Sequence, residues 1–243
     1  MEEKRLNKAI SETGFCSRRA ADRYIEEGRV KVNGVKAGLG VKVRPSDKIT
    51  VDDALITKEV SNIYLVFNKP VGITCTTDTE VKGNIINFLK FPERIFPVGR
   101  LDKPSEGLIF MTNDGDIVNK ILRSKNNHEK EYIVTVNKRI DPNFIKRMGN
   151  GIPILDTITH KCKVEKIDNY SFKIILTQGL NRQIRRMCTY LGYEVKKLKR
   201  IRIMNVNLGN LPTGKYRTFT PKELKELNSM IQSSSKTEEA SRS

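Results

Sequence analysis

Residues 96–112 read F-P-V-G-R-L-D-K-P-S-E-G-L-I-F-M-T, and the rest of the chain is best understood from this stretch. Prolines and glycines break up its first part, which predicts a turn or loop. Residues 108–112 are apolar and partly branched, which predicts a buried strand. Asp102 therefore lies on an irregular segment anchored by a rigid element, where catalytic groups are often found. Arg100 and Lys103 flank it, and positive charge favours the ionised carboxylate. The alternative is an acid neutralised by its neighbours at a surface turn.

The composition points to a polyanionic partner. The chain has 243 residues, enough for one large domain or two ordinary ones, and 37% of them are hydrophobic. Its 45 basic and 28 acidic residues give a formal net charge of +17, and nucleic acid is the commonest partner of so basic a protein. No apolar run approaches the roughly 18 residues of a membrane span, and the first residues do not resemble a signal peptide. We expect a cytoplasmic protein without membrane contact.

Metal and nucleotide motifs are missing from the sequence. The four cysteines, Cys16, Cys75, Cys162 and Cys188, form no C-x-x-C pair, and with two histidines they give no zinc-site spacing. The sequence contains no phosphate-binding G-x-x-x-x-G-K and no dinucleotide-binding G-x-G-x-x-G. We therefore expect a protein that works without metal or cofactor.

The first fifty residues predict a small module of their own. A short helix is expected over 6–12, and Ser17 is a suitable N-cap for a second helix that ends at Gly28. Short strands are expected at 30–32 and 49–51, and the first of them is followed by the hairpin dipeptide Asn-Gly. On the second helix the apolar residues share one side, and arginines lie on the other.

The remaining chain predicts strands and helices in alternation. Expected strands are 63–67, 108–112, 132–136, 163–166 and 172–176, and expected helices are 85–89 and 117–123. A further helix is expected from an N-cap at Asn181 to Leu191. On that helix Arg182 and Arg186 should face outward, while Arg185 lies at the border of the apolar side, where it can reach a half-buried site. Residues 178–222 hold eleven basic residues and one acidic residue, which suggests a surface for phosphates.

The amino-terminal module resembles the S4 RNA-binding domain. Two short helices are followed by small strands, with G-R-V-K-V-N-G at 28–34, and the resemblance covers about residues 5–51. It implies that the helix carrying Arg18, Arg19 and Arg23 contacts the RNA backbone, which positions RNA without reading its sequence. The alternative is an exposed face of mixed charge, because Asp22 and Glu26 share it.

The order of four motifs adds a second resemblance. N-K-P-V-G at 68–72, G-R-L-D at 99–102, K-E-Y at 130–132 and G-L-N-R-Q-I-R-R-M at 179–187 resemble the RNA pseudouridine synthases that carry an S4 domain. The resemblance implies an isomerase that breaks the N-glycosidic bond of a uridine and rejoins the uracil through carbon. Asp102 then matches the catalytic aspartate, Tyr132 the tyrosine that stacks on the base, and Arg185 the arginine that pairs with the aspartate. The carboxylate either forms a covalent adduct or acts as a base on the ribose.

The positions expected to bind RNA are basic and lie in or near these motifs. They are Arg18, Arg19, Arg23, Lys69, Arg100, Lys130, Arg182, Arg186, Lys197 and Arg200. Arg100 is expected to fill the gap left by a flipped base or, as the alternative, to form a structural ion pair. Tyr132 has the alternative of an ordinary core tyrosine at a sheet edge.

The predicted fold class is α+β. A small S4-like domain at 1–53 and a linker at 54–62 precede a catalytic domain at 63–232, built on a mixed, largely antiparallel sheet flanked by helices; a disordered tail is expected at 233–243. The expected substrate is 23S ribosomal RNA, with transfer RNA as the alternative, and the expected state is a monomer. A non-catalytic ribosomal-RNA-binding protein is the rival hypothesis. An S4-linked methyltransferase would need a glycine-rich cofactor loop that the sequence does not contain.

Overall fold

The computed structural model describes residues 3–56, 61–122 and 127–232. It divides into two compact units, one formed by Met1–Asn62 with Pro92–Arg94 and the other by Ile63–Phe91 with Ile95–Ser243. The predicted disordered tail, the end of the helix predicted at 117–123 and part of the predicted linker lie outside the described residues. Within the described ranges, no helix is long and apolar enough to cross a membrane.

The first unit is a small helical pair with short strands. In chain order it holds β1 (Lys4–Arg5), α1 (Leu6–Glu12), α2 (Arg18–Glu26), β2 (Val30–Val32), β3 (Val35–Lys36), β4 (Lys42–Val43), β5 (Ile49–Val51) and β6 (Ala54–Leu55). β1 pairs with β4, and a second sheet has the order β3-β2-β5-β6. Ala54 and Leu55, which we expected in the linker, therefore belong to a strand of this sheet.

Local sequence explains both helices and the hairpin of this unit. The Ser17 hydroxyl accepts a hydrogen bond from the Ala20 amide at 3.1 Å, so Ser17 caps α2 as predicted. Asn33 and Gly34 have φ values of 52° and 84°, the left-handed conformations that a tight hairpin requires. One apolar cluster forms the core, with Leu6, Ile10, Ala21, Ile25, Val30, Val43 and Val51.

The second unit is built on a large sheet. Its strands are β7 (Tyr64–Lys69), β8 (Phe96–Pro97), β9 (Glu106–Thr112), β10 (Lys130–Val136), β11 (Pro153–Ile154), β12 (Thr157–Ile158), β13 (Lys163–Lys166), β14 (Ser171–Leu176), β15 (Val195–Ile203), β16 (Val206–Asn207) and β17 (Tyr216–Thr218). The main order is β13-β14-β10-β15-β9-β7-β17, with β16 on β15 and β8 on β9. Among the described strands only β15 and β9 pair in parallel, which confirms the predicted mixed, largely antiparallel sheet.

Helices cover the sheet on both faces. They are α3 (Ile85–Leu89), α4 (Gly115–Leu122), α5 (Pro142–Gly149), α6 (Gln183–Tyr190) and α7 (Pro221–Ile231). Alternate residues of β7 and β9 enter different apolar clusters: Phe67 and Ile109 pack with α6 residues such as Met187, and Val66 and Phe110 pack with the helices α4 and α7. The two central strands are thus buried on both sides.

The start of α6 differs from the prediction. Arg182, not Asn181, is the N-cap residue, it has a left-handed φ of 49°, and no side chain caps the helix. Asn181 instead accepts hydrogen bonds from Arg186, to its backbone oxygen at 3.0 Å and its side-chain oxygen at 3.2 Å. The asparagine is therefore bonded to an outward-facing arginine one turn into the helix.

Candidate active site

Asp102 lies on the loop between β8 and β9, and the loop is tied to the β7 side of the fold. Its turn closes with a hydrogen bond from the Ser105 amide to the Asp102 carbonyl at 2.9 Å. The Gly72 amide donates to the Lys103 carbonyl at 2.8 Å. The Cys75 thiol donates to the Leu101 carbonyl at 3.3 Å, and burial raises the pKa of that thiol, which keeps the donor proton in place. Hydrogen bonds from Gly72 and Cys75 therefore hold the two residues on either side of Asp102.

Lys69, the lysine of that motif, is fully buried. Its ammonium group donates to the carbonyls of Pro70 and Ile73, both at 2.8 Å, and so braces the turn from beneath. Burial lowers the pKa of Lys69, and the nearby negative charge of Asp102 acts against that shift. The expected contact between Lys69 and RNA does not fit this placement, because its side chain reaches no surface.

Arg185 reaches the same loop from α6. Its guanidinium donates to the Pro104 carbonyl at 3.0 Å and to the Ser105 hydroxyl at 3.1 Å, and it also reaches the Val195 carbonyl at 3.3 Å. Arg185 is half-buried, as its border position on the helix predicted.

The direct ion pair expected between Arg185 and Asp102 is not formed in this conformation. Among the described residues, no nitrogen of the Arg185 guanidinium lies within 4.0 Å of an oxygen of the Asp102 carboxylate. The charge of Asp102 nonetheless acts on Arg185 at longer range, where it opposes the lowering of the arginine pKa by burial. The arginine directs its donors to the loop backbone beside the carboxylate rather than to the carboxylate itself.

A cavity of about 480 Å³ lies beside the Asp102 loop, and it brings the three motif-matched residues together. Asp102, Tyr132 and Arg185 all line it, with the apolar side chains of Leu176, Leu180, Ile184 and Leu198. Tyr132 comes from β10 and is 9% exposed, so its ring forms part of the wall. A space of this volume, lined by apolar side chains together with polar and charged ones, can hold a small polar organic group.

Lys130 and Arg200 line this cavity too, rather than an outer surface. They are 8% and 4% exposed, and Tyr132 pairs directly with Arg200 across β10 and β15. Burial and then the Arg200 charge lower the pKa of Lys130 to about 8. Both residues were predicted to bind RNA, and their burial restricts any such contact to a group that enters the cavity.

The other basic residues expected to bind RNA are exposed. They are Arg18, Arg19 and Arg23 in the first unit, and Arg100, Arg182, Arg186 and Lys197 in the second. Arg182 and Arg185 also border a second, more open groove of about 450 Å³ with Arg186 and Tyr190. This groove therefore adjoins the cavity that holds Asp102.

Sequence reasoning missed several residues that shape the site. Ser105, Cys75 and Gly72 hold the Asp102 loop through hydrogen bonds, and Gln183 and Gln178 line the cavity. Ser105 did carry a signal, because it lies three residues after Asp102, a spacing that closes a turn. No local signal marks Cys75, because its partner lies 26 residues away.

The geometry supports chemistry on a planar group. The carboxylate of Asp102 is partly exposed on the cavity wall, near the positive charges of Lys69 and Arg185. An aromatic ring and aliphatic side chains supply a surface on which a base could stack. A carboxylate in such a place can act as a nucleophile or as a general base.

Comparisons with known proteins agree with both sequence resemblances. Residues 63–190 match the family described as RNA pseudouridylate synthase, and residues 4–49 match the S4 domain. The chain is 55% identical, over 95% of its length and 80% of the relative's, to the dual-specificity RNA pseudouridine synthase RluF of Escherichia coli O6:H1 (strain CFT073). It is 38% identical, over 93% of its length and 96% of the relative's, to the ribosomal large subunit pseudouridine synthase B of Bacillus subtilis (strain 168).

A solved structure shares the fold. A pseudouridylate synthase crystal structure superposes with a TM-score of 0.68 at 32% identity, covering 92% of this chain and 99% of the other. The family match over more than half of the chain and the high identity to full-length enzymes settle the assignment. The chain carries an S4 domain and belongs to the RNA pseudouridine synthases, which isomerise uridine to pseudouridine in RNA.

Proposed function

We propose that Asp102 is the catalytic carboxylate, that the target uracil stacks on Tyr132, and that Arg185 positions the Asp102 loop. The observation that carries this proposal is the shared cavity: residues 30 and 83 positions after Asp102 in the chain line the same 480 Å³ space. The rival hypothesis of a protein that only binds ribosomal RNA gives no reason for that convergence.

The target uridine must leave its helix or loop stack to reach Asp102. The carboxylate lies on the wall of a concave site, and a base within a duplex cannot enter such a site. Stacking on an aromatic ring contributes about 1–3 kcal/mol per base, which offsets part of the unstacking. The apolar residues around Tyr132 would exclude water from the base while its bond to the ribose is broken.

The reaction moves one bond without changing the composition of the RNA. The N1–C1′ bond breaks, the uracil turns within the cavity, and C5 forms the new bond to C1′. Asp102 would either add to C1′ or to the base, or take a proton from the ribose, and both routes start from the same ionised carboxylate. In each, Arg185 would act through the loop that carries the aspartate.

The exposed arginines give a path for the RNA backbone. Arg182 and Arg186 border the groove that adjoins the cavity, and Arg100 precedes Asp102 by two residues. Their guanidinium groups would hold phosphates on either side of the target, while the S4 arginines Arg18 and Arg19 would hold another part of the RNA. Lys69 has no place in this path because it is buried.

We infer that 23S ribosomal RNA is the main substrate and transfer RNA a second one, with the protein acting as a monomer in the cytoplasm. The names of two relatives support the choice of more than one RNA: one is a ribosomal large subunit enzyme, and the other is described as dual-specificity. The net charge of +17 suits a large polyanion of either kind.

The substrate is tested with unmodified transcripts that carry tritium at C5 of uridine. Forming the C5–C1′ bond displaces that tritium into water, so release measures isomerisation directly. We expect release from the 23S transcript and a smaller release from transfer RNA transcripts. Transcripts labelled at C6, which keeps its hydrogen, are the matched control. Tight binding of the 23S transcript without any release would support the rival binding protein instead.

A further inference from the structure

Two buried cations share one face of the sheet inside the cavity. Lys130 and Tyr132 are two residues apart on β10 and so point to the same side, and Arg200 pairs with Tyr132 across the strands. The Arg200 guanidinium lies 6.0 Å from the centre of the Tyr132 ring. The two positive side chains therefore lie on the same face of the sheet as the ring on which we place the target base.

Within the described residues, neither Lys130 nor Arg200 forms an ion pair. Lys130 donates to the His128 carbonyl at 3.2 Å, and Arg200 donates to the Leu108 carbonyl through Nε at 2.6 Å. The Nη2 atom of Arg200 is buried and has no hydrogen-bond partner in the part of the chain that the structure describes.

Such an arrangement opposes folding. Lys130 has Leu176 and Ile203 as its cross-strand partners, neither of which carries charge, and the Arg200 charge repels it. Burying an unpaired charge is costly, and two like charges together cost more. A pair kept under these conditions is best explained by an anion that enters the cavity.

We propose that Lys130 and Arg200 form an anion site in the cavity wall, which stabilises the negative charge of the uracil while it is detached from the ribose. This proposal rests on the proposed function, because it takes the base to stack on Tyr132. It assigns to the two residues a role in the chemical step rather than in holding RNA.

The charge follows from the reaction itself. When the N1–C1′ bond breaks, both of its electrons stay on N1, so the detached uracil is a monoanion with its charge spread over N1, O2 and O4. The C5 atom then supplies the electron pair of the new bond to C1′, its proton passes to a base, and N1 takes up a proton. Fixed positive charge at a site of developing negative charge is among the strongest catalytic effects.

A phosphate of the target nucleotide is the other anion that could meet these cations. The two are distinguished by when the contact forms. A phosphate is charged before the reaction, so its loss would weaken binding, whereas the uracil acquires charge only as the bond breaks. The rate at saturation therefore reports on the uracil anion, and the dissociation constant reports on a phosphate.

The test uses full-length Lys130→Met, Lys130→Arg and, as a matched control, Lys163→Met, which removes an exposed lysine from β13. The probe is the C5-tritiated 23S transcript, with enzyme in excess. Lys130→Met should lower the saturating rate constant about 100-fold, the effect of removing one charge-stabilising group, and change RNA affinity less than about threefold. Lys130→Arg should restore most of the rate, and the control should match the wild type.

Thermal unfolding adds a readout that needs no RNA. Because Lys130 is a buried, repelled cation, Lys130→Met should raise the melting temperature by a few degrees, while its activity falls. A structural lysine would show the opposite change. A lowered melting temperature, an unchanged saturating rate, or weaker RNA binding at a normal saturating rate would each overturn the proposal. Absence of tritium release by the wild type would instead count against the proposed substrate.

Discussion

Arg185 joins α6 to the loop that carries Asp102. It donates to Pro104 and Ser105, whose positions in the chain differ from its own by 81 and 80. Its Nε atom is buried and has no hydrogen-bond partner among the described residues.

Replacing Arg185 by Met should destabilise the protein and slow the reaction. The substitution removes one exposed and two part-buried hydrogen bonds, a loss of about 1–3 kcal/mol. Because the loop then loses its tether, the rate of tritium release should fall more than RNA affinity does. Denaturant unfolding and single-turnover rates on the 23S transcript measure the two effects.

Arg182→Met and Arg186→Met provide the comparison. Both side chains are exposed, so unfolding should change little, and each variant should reduce the salt dependence of RNA binding by about one unit of slope. If Arg185→Met changed unfolding and the salt dependence of RNA binding as these two variants do, the hydrogen bonds between α6 and the Asp102 loop would have no role in the reaction.

At the scale of single residues, the sequence predicted Asp102, Tyr132 and Arg185 at one site but misplaced three basic side chains. Lys69 lies on a strand that is buried on both faces, so no alternation of polar and apolar residues marks its burial. Lys130 and Arg200 lie among apolar cross-strand neighbours that become adjacent only when the sheet forms. A basic residue in a basic protein gives no local sign that it faces inward.

At the scale of elements, the parallel pair β9–β15 helps to place the Asp102 loop, which leads into β9. Gly107 lies opposite Arg200 in this pairing, with a φ of 107°. A Cβ atom at this position would lie 2.7 Å from the Arg200 nitrogen and closer still to its carbonyl oxygen. Only glycine lets the two backbones approach so closely, five residues after Asp102.

Gly107→Ala should therefore destabilise the second unit strongly. The backbone conformation and the clash each cost on the order of 1–3 kcal/mol, so we expect a loss of at least about 2 kcal/mol and a melting temperature lower by roughly 4 °C or more. Thermal unfolding of the purified variant measures it.

Gly115→Ala is the matched control for this substitution. Gly115 opens α4, has ordinary backbone angles, and has no neighbouring atom within 4 Å of the position that an alanine methyl would take. Alanine favours helix more than glycine does, so stability should stay the same or rise by up to about 1 kcal/mol. Equal stability of the two alanine variants would refute the close approach at Gly107.

The expected helices and strands are present with ends that differ by a few residues, but α5, β15 and α7 were not expected from the sequence. Ser17 and the dipeptide Asn33-Gly34 act through bonds to near neighbours, so the sequence predicts them correctly. Asn181 has the right chemistry for a cap, but the guanidinium of Arg186 takes its oxygens. The cap preference of a residue type describes that residue alone. It does not account for a charged donor one turn away that competes for the oxygens of the residue.

At the scale of the whole molecule, the first unit takes residues 1–62 and the short segment Pro92–Arg94, and the second takes the rest. A fragment that begins at Ile63 keeps the complete large sheet and both of its apolar clusters. Residues 1–62 have their own core around Leu6 and Ile25. Each unit thus holds the apolar contacts that an independently folding domain needs.

Removing residues 1–62 should leave a folded enzyme with weaker and less selective RNA binding. The fragment loses Arg18, Arg19 and Arg23, so both its affinity and its salt dependence should fall. Circular dichroism, RNA titrations and tritium release on 23S and transfer RNA transcripts measure the outcome. A fragment that aggregates, or one that matches the intact protein in RNA affinity and selectivity, would contradict the separate roles of the two units.

The two domains were predictable because each carries motifs in a fixed order. The boundary between the first domain and the linker was not predictable. Ala54 and Leu55 follow two aspartates with left-handed backbone, Asp52 and Asp53, and this turn returns the chain to β5. Aspartates give a weaker turn signal than Asn-Gly, so the sequence does not indicate the short strand that follows them.

The most direct test of the account is Asp102→Asn, which keeps the shape of the side chain and removes its charge and basicity. Single-turnover tritium release from the 23S transcript should fall at least about 1,000-fold, because either route needs the carboxylate. Affinity for the transcript and the melting temperature should stay close to those of the wild type. Release at the wild-type rate by the asparagine variant would show that Asp102 does not carry the reaction.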